Sequence, residues 1–181
     1  MVTQTLRRTD ASIATRILGI VLFAFATALS ARLAAFFPNS PVPLTLQVLV
    51  VVLSGFTLGG RDALIAQGLY LQAILLGAPL TAAGLGGPIA LVGPTAGYLI
   101  SFPAAAWVAG SLSQRVSRGA WWGRALGGLA ALAIIYGLGT LWLASFVGGL
   151  NRAFALGVAP FIGPDLAKVA IAAGLLSLRK N

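Results

Sequence analysis

The sequence predicts an all-α integral membrane protein with six transmembrane helices and both the N- and C-termini in the cytoplasm. Three observations lead there. Hydrophobic residues make up 59% of the 181 and charged residues only 8%, against roughly 45–50% and about 25% in soluble domains. The mean hydropathy is +0.97. Six apolar runs follow one another, and the cations concentrate in alternate connections between them. Fifteen charges cannot coat a water-soluble domain of this length. The chain reads as one transmembrane domain over 1–181, with a cytoplasmic tail at 1–15 and a six-helix bundle at 16–178.

A membrane-crossing helix needs about 20 mostly apolar residues. The first run, Ile17–Phe37, is interrupted only by Arg32. The second is Val42–Leu58. The third, Ala63–Leu76, is short and rather polar, as expected of a helix buried among others; it carries Gln67, Tyr70 and Gln72. Tyr98–Leu112, Ala125–Val147 and Leu166–Leu178 complete the set, the last starting a residue or two earlier. These runs are too long for strands and lack alternation, so they read as helices. The connections 77–97 and 148–164 are rich in Gly, Pro and Ala and nearly free of charge. Such segments fold back over helix ends and line a cavity, where irregular backbone is tolerated at membrane depth.

Charge placement sets the orientation. With the N-terminus inside, the cytoplasmic segments carry Arg7, Arg8, Arg16, Arg61, Arg115, Arg118, Arg124, Arg179 and Lys180, while Arg32, Arg152 and Lys168 fall on the other side. That asymmetry follows the positive-inside rule, and Trp121 and Trp122 fit an interfacial aromatic belt. The net charge of +9 is spread too thinly for the basic stripe that nucleic acid requires. A rival reading of the N-terminus is a signal peptide with cleavage near Ala26-Thr27-Ala28. The apolar run is long for that, and the segment is expected to remain as the first span.

The absences narrow the chemistry. There is no His, Cys or Glu, and the carboxylates are Asp10, Asp62 and Asp165. Zinc sites, thiol nucleophiles and imidazole acid–base catalysis are thereby removed. No phosphate-binding loop precedes Lys168 or Lys180, so no means of hydrolysing ATP is recognisable. No cofactor and no metal is expected, and an enzyme is disfavoured.

Asp165 and Lys168 lie three positions apart near the start of the last helix, on one face, with Pro164 suited to its first position. They are either an ion pair at the interface or a ligand site, the acid accepting hydrogen bonds and the ammonium taking an anion. In Pro41–Gln47, two prolines lead into the second span and bring Thr45 and Gln47 to its start, for an interhelical bond or a ligand contact. Gly93–Tyr98 is a turn feeding the fourth span, with Thr95 and the polar-tipped ring of Tyr98. Ala24, Ala28 and Ala31 form a small-residue ladder, suited to internal packing or to docking a second membrane protein. Arg32 snorkels outward or reaches an anion in the outer cavity.

Three of these segments, Pro41–Gly60, Gly93–Ile100 and Pro160–Lys168, resemble the BioY family in order and spacing, and the resemblance extends over about residues 15–178. The family comprises biotin-specific substrate-capture (S) components of energy-coupling factor transporters. The resemblance implies a multi-pass protein of the bacterial plasma membrane that binds biotin in an outward-facing cavity. The loops between spans one and two and between spans three and four would close it. Asp165 and Lys168 match the family's D-x-x-K of the binding site, Gln47 and Tyr98 fall in motifs lining the cavity, and the alanine ladder matches the face that meets the transmembrane coupling subunit. There are departures. Gly163-Pro164 replaces the family's frequent proline-glycine, and Arg32 stands where many members have an uncharged polar residue. Residues 77–97 contain no Asn, so either Thr81 or Thr95 substitutes or the ureido contact differs.

The expected chemistry suits biotin, an apolar body with a cyclic urea at one end and a carboxylate at the other. Asp165 would accept from the ureido N–H side, and Lys168, with Arg32, would pair with the carboxylate. The family further implies ATP hydrolysis by separate ATPase subunits, with the loaded chain rotating on its coupling subunit. Uptake by the chain alone, as a homo-oligomer, is the other proposal for the family. An S component for a different vitamin, a membrane enzyme and a purely structural subunit are the competing readings.

Overall fold

A computed structural model describes residues 2–117 and 120–178, with side chains described over 12–116 and 120–176. Arg118, Arg179 and Lys180 of the charge pattern lie outside the described residues, as do the side chains of Arg7 and Arg8. The chain runs α1 (Val2–Ala31), β1 (Ala34–Ala35), β2 (Leu44–Thr45), α2 (Gln47–Leu58), α3 (Gly60–Leu75), a 3-10 turn at Pro88–Leu91, α4 (Ala96–Ser117), α5 (Trp121–Val147), α6 (Leu150–Gly157) and α7 (Ile162–Leu178). The Ser12–Ala31 part of α1 and the whole of α5 are each long and apolar enough to cross a membrane. The α6–α7 pair, bent by 55°, qualifies as a third.

The size gradient inside this bundle is the reverse of a soluble protein's. On α1, Leu18, Leu22, Phe25 and Leu29 recur at helical spacing and are 55–65% exposed. The opposite face is Ala24, Thr27, Ala28 and Ala31, all buried. Large apolar side chains face outward and small ones let backbones approach, as expected where lipid is the solvent. The alanine ladder, expected as a docking face for a coupling subunit, therefore packs within the bundle. Its small side chains are covered by the packing of α1 on α2 and α3.

Glycines fix the tightest crossing. At the α2–α3 elbow, Gly59 adopts φ +80°, a conformation that L side chains rarely take. The elbow rests on α4 at Gly110, where a Cβ would lie 2.5 Å from Gly60 N and 2.6 Å from Gly55 O. No larger residue fits between these backbones. A buried amide joins the first three helices: Gln67 Nε2 donates to Thr27 Oγ1 at 3.1 Å and to Ser54 Oγ at 3.2 Å. Midway along α1, Arg16 grips Asp62, in the first turn of α3, through two nitrogens, at 2.9 and 2.7 Å.

Several boundaries differ from the sequence expectation, each for a local reason. α1 already runs through most of the segment set apart as a tail and ends at Ala31, six residues before Phe37. The chain then folds into a two-residue antiparallel ladder, Ala34 opposite Thr45 and Ala35 opposite Leu44. Pro41 and Pro43 disfavour helix in the residues before them, so α2 begins at Gln47 rather than Val42. Residues 148–164 are not a continuous loop, because Leu150–Gly157 forms the short helix α6. α7 begins at Ile162, so Pro164 occupies its third position rather than its first. The missing N–H still costs nothing there, since first-turn donors have no partner within a helix.

Candidate functional site

The end of the bundle that carries the 32–46 and 76–95 loops encloses a cavity of about 220 Å³. Both loops line it, as do α2, α4, α5 and α7. A single water needs only about 10–15 Å³ measured this way, so the space suits a small organic molecule. Most of the wall is apolar, with Val42, Leu99, Phe102, Ile135 and Phe161 buried around it. A mostly apolar pocket with a few convergent polar groups is the usual form of a small-molecule site.

The polar groups form one connected set. Lys168 Nζ donates to Asp165 Oδ1 at 2.6 Å and to the backbone oxygen of Thr45 at 2.7 Å. Tyr136, on α5, donates its hydroxyl to Asp165 Oδ2 at 2.8 Å. The side chains of Asp165 and Lys168 are only 5% and 9% exposed. Removing two charges from solvent is expensive unless the remaining donors and acceptors are also satisfied. Here each carboxylate oxygen has a donor, and the ammonium has two acceptors and one hydrogen in reserve.

A second branch starts from the same strand. Thr45 Oγ1 accepts from Gln47 N at 3.2 Å and donates to Gln47 Oε1 at 3.3 Å. Gln47 Nε2 donates to the Tyr70 hydroxyl at 2.8 Å, and that hydroxyl donates to Leu80 O at 3.2 Å. The chain of bonds thus ends in the 76–95 loop. Tyr70 stacks on Phe102, centroids 6.5 Å apart and planes at 22°.

Both loops are pinned over the cavity. Ser40 Oγ donates to Leu156 O at 2.7 Å, tying the 32–46 loop to α6. Phe37 meets Phe161 edge to face at 5.9 Å. Trp142 Nε1 donates to Gly93 O at 2.9 Å, fastening the far end of the second loop to α5. Tyr98 donates to Gly157 O at 3.0 Å, holding the last turn of α6.

The structure brings six of the seven expected site residues to one cavity: Asp165, Lys168, Gln47, Tyr98, Thr45 and Thr95. Arg32 stands apart. It is exposed, its Nη2 donates to Pro79 O, and it lines a shallower groove that it shares with Lys168 and Thr45. Thr81 lines the cavity, but its hydroxyl is engaged in its own turn, donating to Leu85 O at 3.0 Å and accepting from Leu85 N at 2.8 Å. Thr95 Oγ1 has no side-chain partner among the described residues.

Tyr136 was not singled out by sequence. The available signal was a phenol in the apolar run Ala125–Val147, where a hydroxyl must find a partner. Phe102 gives no signal, since an aromatic at helical spacing is ordinary core, and Phe161 lies in the Pro160–Lys168 segment with no role of its own assigned to it.

A bundle with outward-facing bulk, small-residue crossings and an end-on apolar pocket holding a buried ion pair has the features of a membrane protein with a small-molecule pocket. The comparisons narrow that class. The BioY family pattern matches residues 3–181. A probable biotin transporter BioY of Pyrococcus horikoshii is 42% identical over 153 residues, covering 84% of this chain and 88% of that protein. The biotin transporter BioY of Thermotoga maritima is 40% identical over 142 residues, covering 78% and 82%. The chain belongs to the BioY family. Its fold is also that of a crystal structure of the S-component for biotin from an ECF-type ABC transporter, with a TM-score of 0.87 at 21% identity over 95% of this chain and 94% of the other.

Proposed function

We propose that the chain is a biotin-capture subunit of the cell membrane, taking biotin from outside into the cavity beneath the two loops. The observation that carries this reading is the buried set Tyr136–Asp165–Lys168–Thr45 opening on an apolar space. It offers an acceptor for a ureido N–H and a spare ammonium hydrogen for the ureido oxygen beside it. Because Lys168 Nζ lies 2.6 Å from Asp165 Oδ1, the pair meets one end of the ligand, and Lys168 does not serve the carboxylate at the other end as the sequence suggested. Similarity to relatives named as biotin transporters or probable biotin transporters supports the choice of ligand.

In this reading α1, α2, α3, α4, α5 and α7 are the six spans, with both termini inside. α2 and α3 rise about 18 and 24 Å, less than the roughly 30 Å hydrocarbon core. The 32–46 hairpin and the 76–95 loop supply the remaining depth. A cation about 4 Å from a carboxylate gains roughly 4 kcal/mol at an effective dielectric near 20, before desolvation. Nanomolar binding needs about 12 kcal/mol, so burial of the ring and tail must supply most of it. Arg32 is placed to hold the second loop through Pro79 and to attract an anion at the mouth.

Release to the cytoplasm requires partners, and the resemblance to S components favours a transmembrane coupling subunit with separate ATPases. The alternative, carriage by the chain alone, is separable by reconstitution. Biotin uptake into vesicles holding only this chain, at the rate seen with coupling and ATPase subunits, would overturn the partner-dependent reading. For ligand identity, equilibrium dialysis of the detergent-purified protein against a panel of labelled vitamins is decisive. Retention of biotin alone, one per chain, is expected; retention of another vitamin and not biotin would overturn the assignment.

A further inference from the structure

Tyr136 sits midway along α5, lines the cavity and spends its hydroxyl hydrogen on Asp165 Oδ2 at 2.8 Å. Asp165 is held from its other side by Lys168, 2.6 Å from Oδ1. The carboxylate is thus clamped between two donors on different helices. With only Lys168, three positions along the same helix, it could rotate about its Cβ–Cγ bond and still keep its ion pair. The Tyr136 contact from α5 removes that freedom. It also leaves the phenol oxygen with lone pairs and no hydrogen to offer, so the Tyr136–Asp165 edge presents acceptors only.

We propose that Tyr136 is a positioning residue that sets donor selectivity: by fixing the Asp165 carboxylate, it makes the cavity prefer a ligand that turns a ureido N–H to the Tyr136–Asp165 edge. This rests on the biotin reading above. An analogue that replaces one ureido N–H by oxygen brings a lone pair toward that acceptor edge. Two acceptors facing each other repel, and a buried acceptor is left without its donor. Sites built around a hydrogen bond to a ligand group discriminate strongly against analogues that lack it, by as much as about 10⁴-fold.

The test is calorimetric titration of biotin and of its cyclic carbamate analogue into detergent-purified protein. The variants are wild type, Tyr136→Phe, Asp165→Asn and the double variant. Tyr136→Phe removes one oxygen and keeps the ring; Tyr136→Met serves as a second hydroxyl-free variant if the first does not fold. Wild type is expected to favour biotin, and Tyr136→Phe to weaken biotin about tenfold while weakening the analogue by less than threefold. In the Asp165→Asn background the same change should leave the ratio of the two affinities unaltered. Equal weakening of both ligands by Tyr136→Phe would overturn the proposal, as would an undiminished shift in the ratio when Asp165 is already Asn. Failure of folded wild type to bind biotin would instead overturn the ligand assignment, a separate outcome.

Discussion

Lys168 donates to the backbone oxygen of Thr45 at 2.7 Å, across 123 positions of sequence. The same ammonium holds Asp165 one turn away on α7. One charge therefore fastens the last helix to the strand that introduces α2, and both contacts lie in the cavity wall. In the proposed function, stability and ligand recognition share this group.

That sharing has a measurable consequence. Removing one partner of a buried ion pair is destabilising by roughly 3–5 kcal/mol because the other charge is stranded, whereas replacing both with uncharged groups is far milder. Lys168→Met should lower the thermal midpoint in detergent well below that of Lys168→Met/Asp165→Asn. A double variant less stable than Lys168→Met alone would contradict the pairing. Neither variant should bind biotin tightly.

Tyr98 depends on a glycine it packs against. A Cβ at Gly139 would lie 2.3 Å from Tyr98 Cδ1, whereas a Cβ at Gly137 meets nothing within 4 Å. Gly139→Ala should push the ring toward the cavity and break its bond to Gly157 O, weakening biotin binding at least tenfold. Gly137→Ala, on the same helix, should be neutral in binding and stabilising by up to about 1 kcal/mol through helix propensity. Titration and thermal unfolding of the two variants side by side would check this, and equal effects would refute it.

Ser40 is the polar latch of the first loop. Its bond to Leu156 O at 2.7 Å should contribute about 1 kcal/mol, a typical net value. If opening of that loop limits release, Ser40→Ala should speed biotin dissociation about fivefold with little change in association. A pulse–chase with labelled biotin measures it directly. An unchanged dissociation rate would place the exit elsewhere.

Orientation can be read by labelling, since the chain has no native cysteine to interfere. Ala83→Cys, in the cavity-covering loop, should react with an impermeant maleimide on intact cells. Ala120→Cys, before α5, should react only after permeabilisation. The reverse pattern would invert the topology proposed for the six spans.

Much of the site was legible because polar residues are so rare in these runs. Asp165, Lys168 and Gln47 each interrupt an apolar segment, and an intramembrane polar group must find a partner or a ligand. The same economy located the 76–95 loop, whose lack of charge pointed to burial, whereas the 32–46 loop came from the family resemblance and the other uncharged stretch, 148–164, holds helix α6. Tyr136 escaped because a phenol disappears into an aromatic-rich apolar run, and only the three-dimensional meeting of α5 with α7 reveals its partner. Helix α6 was hidden by its flanking glycines and prolines, which read as loop although Leu150–Gly157 between them is helical. The alanine ladder shows the limit of face arguments: small residues at helical spacing mark close packing, but not which neighbour they meet. Only the structure assigns that face to α2 and α3 rather than to a separate subunit. The sequence leaves Arg32 either snorkelling outward or reaching an anion in the outer cavity, and the end of α1 at Ala31 leaves it exposed outside the main cavity.

The most direct test of the account is calorimetric titration of biotin into the purified wild-type chain, with Asp165→Asn and Lys168→Ala beside it. One-to-one tight binding that weakens at least tenfold in both variants is predicted. A folded wild type that takes up no biotin, or tight binding indifferent to both substitutions, would contradict it.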